Sequence, residues 1–280
     1  MTTNHGPAHQ PSPVDPEALP FVAPCRRLDY AAPLRWLRAG WRDLRRAPRQ
    51  SLTYGLFLVA LSWISALLAW QVGGWILLLA LLSGFVFLAP ILALGLYSIS
   101  CQLEAGLRPR LGYCLREGWR NLGNEMLFGL VLLILFLLWA RAGSAVHIFF
   151  PLEQGRDWHN LLLFLGIGSA VGAIFAFLVF SASAFSLPMM LHLRVDAITA
   201  VLTSVNAVLR NRGPMLVWAT LIIVLLALGA ATAFLGLAVV MPLLGHATWH
   251  AYRDTIVVDG WPRNPLAHEA GEERAQGEGK

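Results

Sequence analysis

Four stretches of this chain contain no Asp, Glu, Lys or Arg: Ser51 to Leu103, Met126 to Ala140, Trp158 to Leu193 and Gly213 to Tyr252. A helix crossing the ~30 Å hydrocarbon core of a bilayer takes about 20 apolar residues, so these stretches accommodate two, one, one and two spans. Lipid is therefore the solvent the chain is built for. With 57% hydrophobic and 13% charged residues, a soluble domain of 280 residues is excluded. The expected fold class is all-α, a polytopic transmembrane bundle with spans near 51–70, 75–98, 125–147, 161–187, 214–229 and 231–249. The last two require a turn near Gly229 to Thr232, because Pro214 to Trp249 as one helix would run about 54 Å. A single tilted helix is the alternative and would put the C-terminal tail outside.

Arginine placement sets the orientation. Eight arginines lie between Arg26 and Arg49, four between Arg108 and Arg120, and three more at Arg194, Arg210 and Arg212, all in segments of one parity. Arg141 and Arg156 fall on the other side. Short arginine-rich segments stay in the cytoplasm, so the N-terminus, both long connectors and, with six spans, the C-terminus are expected there. The net charge of +5 is explained by this topology without nucleic acid as a partner. Residues 1–24 read as a disordered tail without the apolar core of a signal peptide, 25–253 as the membrane domain, and 254–280 as a second disordered tail.

A repeat gives the domain its unit. Residues 37–44 read LRAGWRDL and 115–122 read LREGWRNL, each leading into an apolar stretch. Helical spacing places Leu34, Leu37, Trp41 and Leu44 on one face of a segment near 31–48, beside Arg35, Arg38, Arg42, Arg45 and Arg49. The segment near 102–123 repeats the pattern with Trp119, Arg116 and Arg120. A third, near 189–212, has an apolar stripe of Ile198, Leu202, Val205 and Leu209, a polar stripe of Asp196, Thr199, Thr203 and Asn206, and Arg210 near its end. Three pseudo-repeats of surface amphipathic helix plus helix pair describe the chain economically. Tryptophan suits the headgroup boundary and arginine suits anionic lipid. Arg38, Trp41, Arg42, Arg116, Trp119, Arg120 and Arg210 are the expected interfacial anchors, and anionic headgroups the expected partner.

Prolines Pro90, Pro188 and Pro242 fall late in the even-numbered spans, where each should kink its helix. Gly168, Gly172 and Ala176 form a small-residue stripe suited to close helix packing within the bundle or to self-association. His246 and His250 lie four apart on one helical face, and His192 is a third residue that could join them on a metal; water, backbone or lipid phosphate would satisfy them equally well. Cys25, Cys101 and Cys114 have no CxxC spacing and read as reduced structural thiols. No Walker-type, HExxH, CxxC or GxSxG motif is present, and Glu153 and Asp157 in the outer loop read as a solvated cap. No catalytic residue and no cofactor are assigned, and the reading leans away from an enzyme.

The segments PLRWLRAGWRDLRRAPRQSLTYG at 33–55, CQLEAGLRP at 101–109 and PLLGHATWHAYRD at 242–254 resemble a family of uncharacterised bacterial integral membrane proteins, a domain of unknown function. Some of its members carry a cytochrome c oxidase label. The resemblance covers roughly 25–255 and implies a multi-pass inner-membrane protein without an assigned chemistry. A haem–copper subunit would need several histidines inside its bundle; here His5, His9 and His268 lie in the tails, His147 and His159 flank the outer loop, and His192, His246 and His250 sit near cytoplasmic helix ends. Three functions follow in order of preference: an accessory or structural membrane protein that binds lipid or a membrane partner, a small-solute or lipid transporter, and a metal- or haem-linked respiratory component.

Overall fold

The computed structural model of the chain describes residues 20–68, 70–71, 93–110, 112, 122–149 and 158–265. Its regular structure is helical: α1 (Ala32–Arg46), α2 (Pro48–Leu68), α3 (Leu94–Glu104), α4 (Leu122–Phe149), α5 (Trp158–Ser183), α6 (Ser186–His192), α7 (Ala197–Arg210), α8 (Arg212–Ala231) and α9 (Leu237–Thr255). Among the described residues, Pro48–Leu68, Met126–Ala145, Leu162–His192 and Arg212–Ala231 are long and apolar enough to cross a membrane. They fall on the first, third, fourth and fifth spans expected from the sequence. The second, 75–98, lies outside the described residues up to 92, and its end opens α3. The sixth, 231–249, falls on α9, which starts at Leu237 and is not one of the four.

The helix boundaries follow from local chemistry. Pro48 opens α2, where its missing N–H costs nothing, and it turns the preceding Ala47 out of the helical region to φ −128°, ψ 56°, which separates α2 from α1. Pro188 acts similarly. It is the third residue of α6, and the chain breaks at Ala184–Phe185 just before it; the freed Phe185 N–H donates to Ser204 Oγ at 3.1 Å. Asp196 caps α7 by accepting from Thr199 N at 2.6 Å. The turn expected near Gly229 to Thr232 is present, one step later. α8 ends at Ala231, Ala233 and Phe234 take left-handed φ of 53° and 66°, and the Thr232 hydroxyl donates to Gly229 O and accepts from Gly236 N.

The third surface segment, expected near 189–212 as one helix, is interrupted. Leu193 is extended and bridges Arg263, Arg194 N donates to Pro262 O, and Asn264 N donates to His192 O. Asn264 Nδ2 then reaches the carbonyls of Met190, Leu191 and Leu193, satisfying the end of α6. Beyond residue 253 the chain stays packed: Ile256, Val258 and Trp261 are buried in the main core. The N-terminal segment pairs with the same stretch, through Arg26 N to Thr255 O and Val257 N to Pro24 O.

α9 is the hub, with α1, α2, α3 and α8 all packed on it. Successive contacts run antiparallel: Trp36 with Asp254, Asp43 with His250, Ser51 with His246, and Gly55 with Ala238. α1 and α2 thus follow one track along α9. Two glycines let them approach. A Cβ on Gly40 would lie 2.7 Å from Ala247 N, and one on Gly55 only 2.1 Å from Ala238 O. The second contact has a cause in the sequence. Pro242 carries no N–H for the carbonyl four residues earlier, which is that of Ala238, and the bare Gly55 Cα sits over it.

Candidate functional site: a buried polar chain beneath a basic cap

α1, α3, α9 and the start of α2 enclose a line of polar side chains. His246 is fully buried, with Ser51 Oγ 2.9 Å from Nε2 and Ser100 Oγ 2.8 Å from Nδ1. Asp43, also buried, takes His250 Nε2 at 2.8 Å and the Ser100 hydroxyl. Burial alone would raise the Asp43 carboxyl. The hydrogen bonds from His250 and Ser100, with the nearby histidines, outweigh it and hold the group below its ordinary value.

An ionised Asp43 fixes every proton in the line. A carboxylate only accepts, so Ser100 donates to it and its oxygen is left to accept from His246 Nδ1–H. His246 Nε2 is then the acceptor for the Ser51 hydroxyl. The assignment leads in one direction, from Ser51 through His246 and Ser100 to Asp43, with His250 donating from the far side. His250 is the only member with substantial exposure, its side chain 28% accessible. The chain therefore ties the start of α2 to the C-terminal half of α9 and ends near the surface.

A second polar group lies beside it, around a cavity of about 500 Å³ between α3, α6 and α9. Glu104 accepts from Trp249 Nε1 at 2.8 Å and from Arg253, while His192 Nδ1 is 3.0 Å from the Tyr252 hydroxyl. His192 packs edge to face on both Trp249 and Tyr252, which are tilted on each other, with centroids 5.6–5.9 Å apart. The three histidines grouped in the sequence reading are thus engaged separately: His192 with Tyr252, His246 with two serines, His250 with Asp43. Among the described residues no three His, Cys, Asp or Glu side chains are grouped to hold a metal ion.

The expected anchors are arranged around this core. Arg38, Trp41 and Arg42 are exposed on α1, and the Arg45 guanidinium lies over the Trp41 ring at 5.2 Å. The buried face of α1 is Trp36, Ala39, Gly40, Asp43 and Leu44, so Leu34 and Trp41 point outward with the arginines rather than inward. Arg210 is exposed at the end of α7. Arg116, Trp119, Arg120 and Pro90 lie outside the described residues. A Cβ on Gly168 or Gly172 would meet no described atom within 4 Å, and Ala176 lines an apolar cavity between α2, α5, α8 and α9. Pro242 is buried inside α9.

Asp43, Ser51, Ser100, Glu104 and Tyr252 escape the sequence reading. One signal was available: Asp43 is the single acid in an arginine-rich helix and falls one turn from Gly40. An acid on the close-packing stripe has to find a donor across the interface.

Residues 76–192 match the family described as predicted integral membrane protein (DUF2189). That segment, less than half of the chain, is similar to this uncharacterised membrane family. No curated protein and no solved structure matches the chain. The DUF2189 segment contributes Ser100, Glu104 and His192, whereas Asp43, Ser51, His246 and His250 come from either side of it. The polar chain is therefore completed only when the flanking helices close on the family segment.

Proposed function

We propose that this membrane protein is a non-enzymatic accessory protein of the bacterial inner membrane, held on anionic lipid by its basic cap and presenting that cap to a membrane partner. One observation carries the reading: α7 leaves large apolar side chains outside and turns small ones inward, with Ala197, Ala200 and Ala207 buried beside its hydroxyls. Thr199, Thr203 and Ser204 are buried, while Ile198 is 57% and Leu202 41% exposed. A helix facing water does the reverse; apolar side chains outside and hydroxyls inside suit a helix whose outer face meets acyl chains or another apolar surface. Leu34 and Trp41 on α1, exposed among arginines at the entry to α2, repeat the arrangement.

The reading carries six spans with both termini cytoplasmic, and the repeat of surface helix plus helix pair as its unit. Reporter fusions at residues 30 and 258 test the topology, and an outside location for either overturns it. The transporter and the metal-linked alternatives draw less support, because the buried polar chain is paired within itself from Ser51 to His250.

The functional test is the double variant Ile198→Asp, Leu202→Asp. On a water-facing helix such changes stay within about 0.5 kcal/mol. The proposal expects a clear fall in thermal stability in nanodiscs and loss of co-purifying lipid or protein. Unchanged stability together with unchanged co-purification overturns it.

A further inference from the structure

The corner between α7 and α8 carries a built basic cleft. Arg210 and Arg212 flank Asn211 there, and the N-terminal segment lays Arg26 and Arg27 against them, around a cavity of about 760 Å³. The two pairs are far apart in sequence and are brought together by Asn211, which is 4% exposed. Its Oδ1 accepts from Leu28 N at 2.9 Å, and its Nδ2 donates to Arg26 O and Ala207 O, each at 3.1 Å. Tyr30 closes one wall by packing on Gly213, where a Cβ would fall 2.5 Å from the Tyr30 hydroxyl.

Charge in this cleft is uncompensated. Among the described residues no carboxylate lies within 4 Å of Arg26, Arg27, Arg210 or Arg212. The nearest acid in sequence, Asp29, is taken by Arg35 through two 2.8 Å hydrogen bonds. Four arginines line one cavity without an acid, Arg212 Nε donating to Leu209 O at 3.1 Å and leaving its other N–H groups over, and such a set matches a phosphate, whose oxygens accept guanidinium N–H donors. The cleft also sits where α8, one of the four helices apolar enough to cross a membrane, begins at Arg212, and Leu209 is exposed at its rim. On the membrane-surface reading above, the start of that span lies at the headgroup layer.

We propose that this cleft is a binding site for the phosphate headgroup of an anionic phospholipid, held by Arg26, Arg27, Arg210 and Arg212. The inference rests on the membrane-surface reading above and names its ligand site. A free phosphate shares the same chemistry, and the experiment separates the two.

The full-length protein is placed in phosphatidylcholine nanodiscs with and without phosphatidylglycerol, and the lipid it retains is quantified by native mass spectrometry. Wild type should retain phosphatidylglycerol saturably over phosphatidylcholine. Joint substitution Arg26→Gln, Arg27→Gln, Arg210→Gln, Arg212→Gln should weaken that preference at least about tenfold, since each basic side chain near an anionic surface contributes measurably. The four side chains are exposed, and each pair changed alone gives an intermediate loss that keeps the test valid if the joint variant fails to fold. The control Arg141→Gln, outside the cap, should keep the saturable retention, and the α1 variant Arg38→Gln, Arg42→Gln, which alters anchors away from the cleft, should leave the saturable component in place while lowering the rest. Retention unchanged in the cleft variants overturns the inference. If the α1 variant then loses lipid while the cleft variants do not, the membrane-surface reading survives without the cleft; if neither loses lipid, both fall. Inorganic phosphate displacing the lipid and stabilising wild type in neutral nanodiscs identifies free phosphate as the ligand and overturns the lipid assignment.

Discussion

Asp43 of α1 and His250 of α9 meet at 2.8 Å, 207 residues apart in the chain, and that pair decides which protons the buried line from Ser51 to Asp43 carries. Removing the carboxylate strands two donors, His250 Nε2–H and the Ser100 hydroxyl, in a buried interface. Asp43→Ala should cost about 1.5–3 kcal/mol, the range for hydrogen bonds to a charged group. Thermal unfolding in detergent, compared with the exposed-face control Arg42→Gln, measures it. A loss no larger than the control's would mean that the pair does not hold α1 on α9.

The same carboxylate predicts a pH limb. Its folded pKa lies below that of an ordinary aspartate, so its contribution is fully present above the unfolded value and is lost as pH falls through the folded one. Melting temperature should therefore drop below about pH 4 in wild type. Asp43→Asn should start lower and show a shallower acid limb. Parallel limbs in the two proteins would assign the acid sensitivity to other carboxylates.

Much of the fold was legible because the bilayer imposes length and polarity on each helix. Charge-free runs located α2, α4, α5 and α8, and the limit on span length required the turn between α8 and α9. What periodicity could not supply was which face turns inward. On α1, Leu34, Leu37, Trp41 and Leu44 share an apolar face by spacing, yet Leu34 and Trp41 are exposed, Leu44 is buried, and Ala39 and Gly40 face α9 because the interface is too close for large side chains. On α7 Thr199 and Thr203 of the polar stripe turn inward with Ala197, Ala200 and Ala207, while Ile198 and Leu202 stay outside. In a soluble protein burial follows hydrophobicity, but where the outside is apolar the small and hydroxylated residues can pack inward. The polar chain depended on contacts such as Ser100 with His246, 146 residues apart, which no local pattern encodes.

The α2–α9 contact should be intolerant of a single methyl group. Gly55→Ala places a Cβ where 2.1 Å separates it from the Ala238 carbonyl, which is backbone and cannot rotate away. Overpacking of this kind typically costs about 1–3 kcal/mol. Gly143→Ala on α4, where the new Cβ meets no described atom within 4 Å, serves as the matched control. Heating followed by size-exclusion chromatography should show Gly55→Ala aggregating at a lower temperature and Gly143→Ala behaving as wild type. Equal behaviour would mean that α2 and α9 are not in this register.

The packing of the C-terminal stretch yields a similar test. Trp261 is buried in the core beyond the last helix, and a buried aromatic truncated to alanine costs about 3–5 kcal/mol. Trp261→Ala should lower the unfolding temperature and loosen the pairing of Pro262 and Asn264 with residues 192–194. Hydrogen exchange at Arg194, whose N–H is held by Pro262 O at 2.8 Å, reads the second effect directly. Protection at Arg194 unchanged from wild type would separate Trp261 from that pairing.

Asn211 gives the sharpest structural test of the cap. Its amide is the link between the N-terminal segment and the α7–α8 corner, and Asn211→Ala leaves Leu28 N–H and the Arg26 carbonyl without their partner. Each unsatisfied buried group costs about 1–3 kcal/mol, and the loss is local because α7 and α8 keep their own backbone bonds. The expected consequence is release of the segment around Arg26 and Arg27 while the helices stay folded. Both arginines are trypsin sites, so limited proteolysis reads the release as faster cleavage after Arg26 or Arg27 at unchanged melting temperature of the remainder. Asn211→Asp separates the two halves of the contact, since it keeps the acceptor for Leu28 N–H and loses the donor to Arg26 O. It should fall between alanine and wild type, and cleavage as slow as wild type in both variants would show that other contacts, such as Ala23 N to Thr203 Oγ1 at 3.0 Å, suffice to hold the segment.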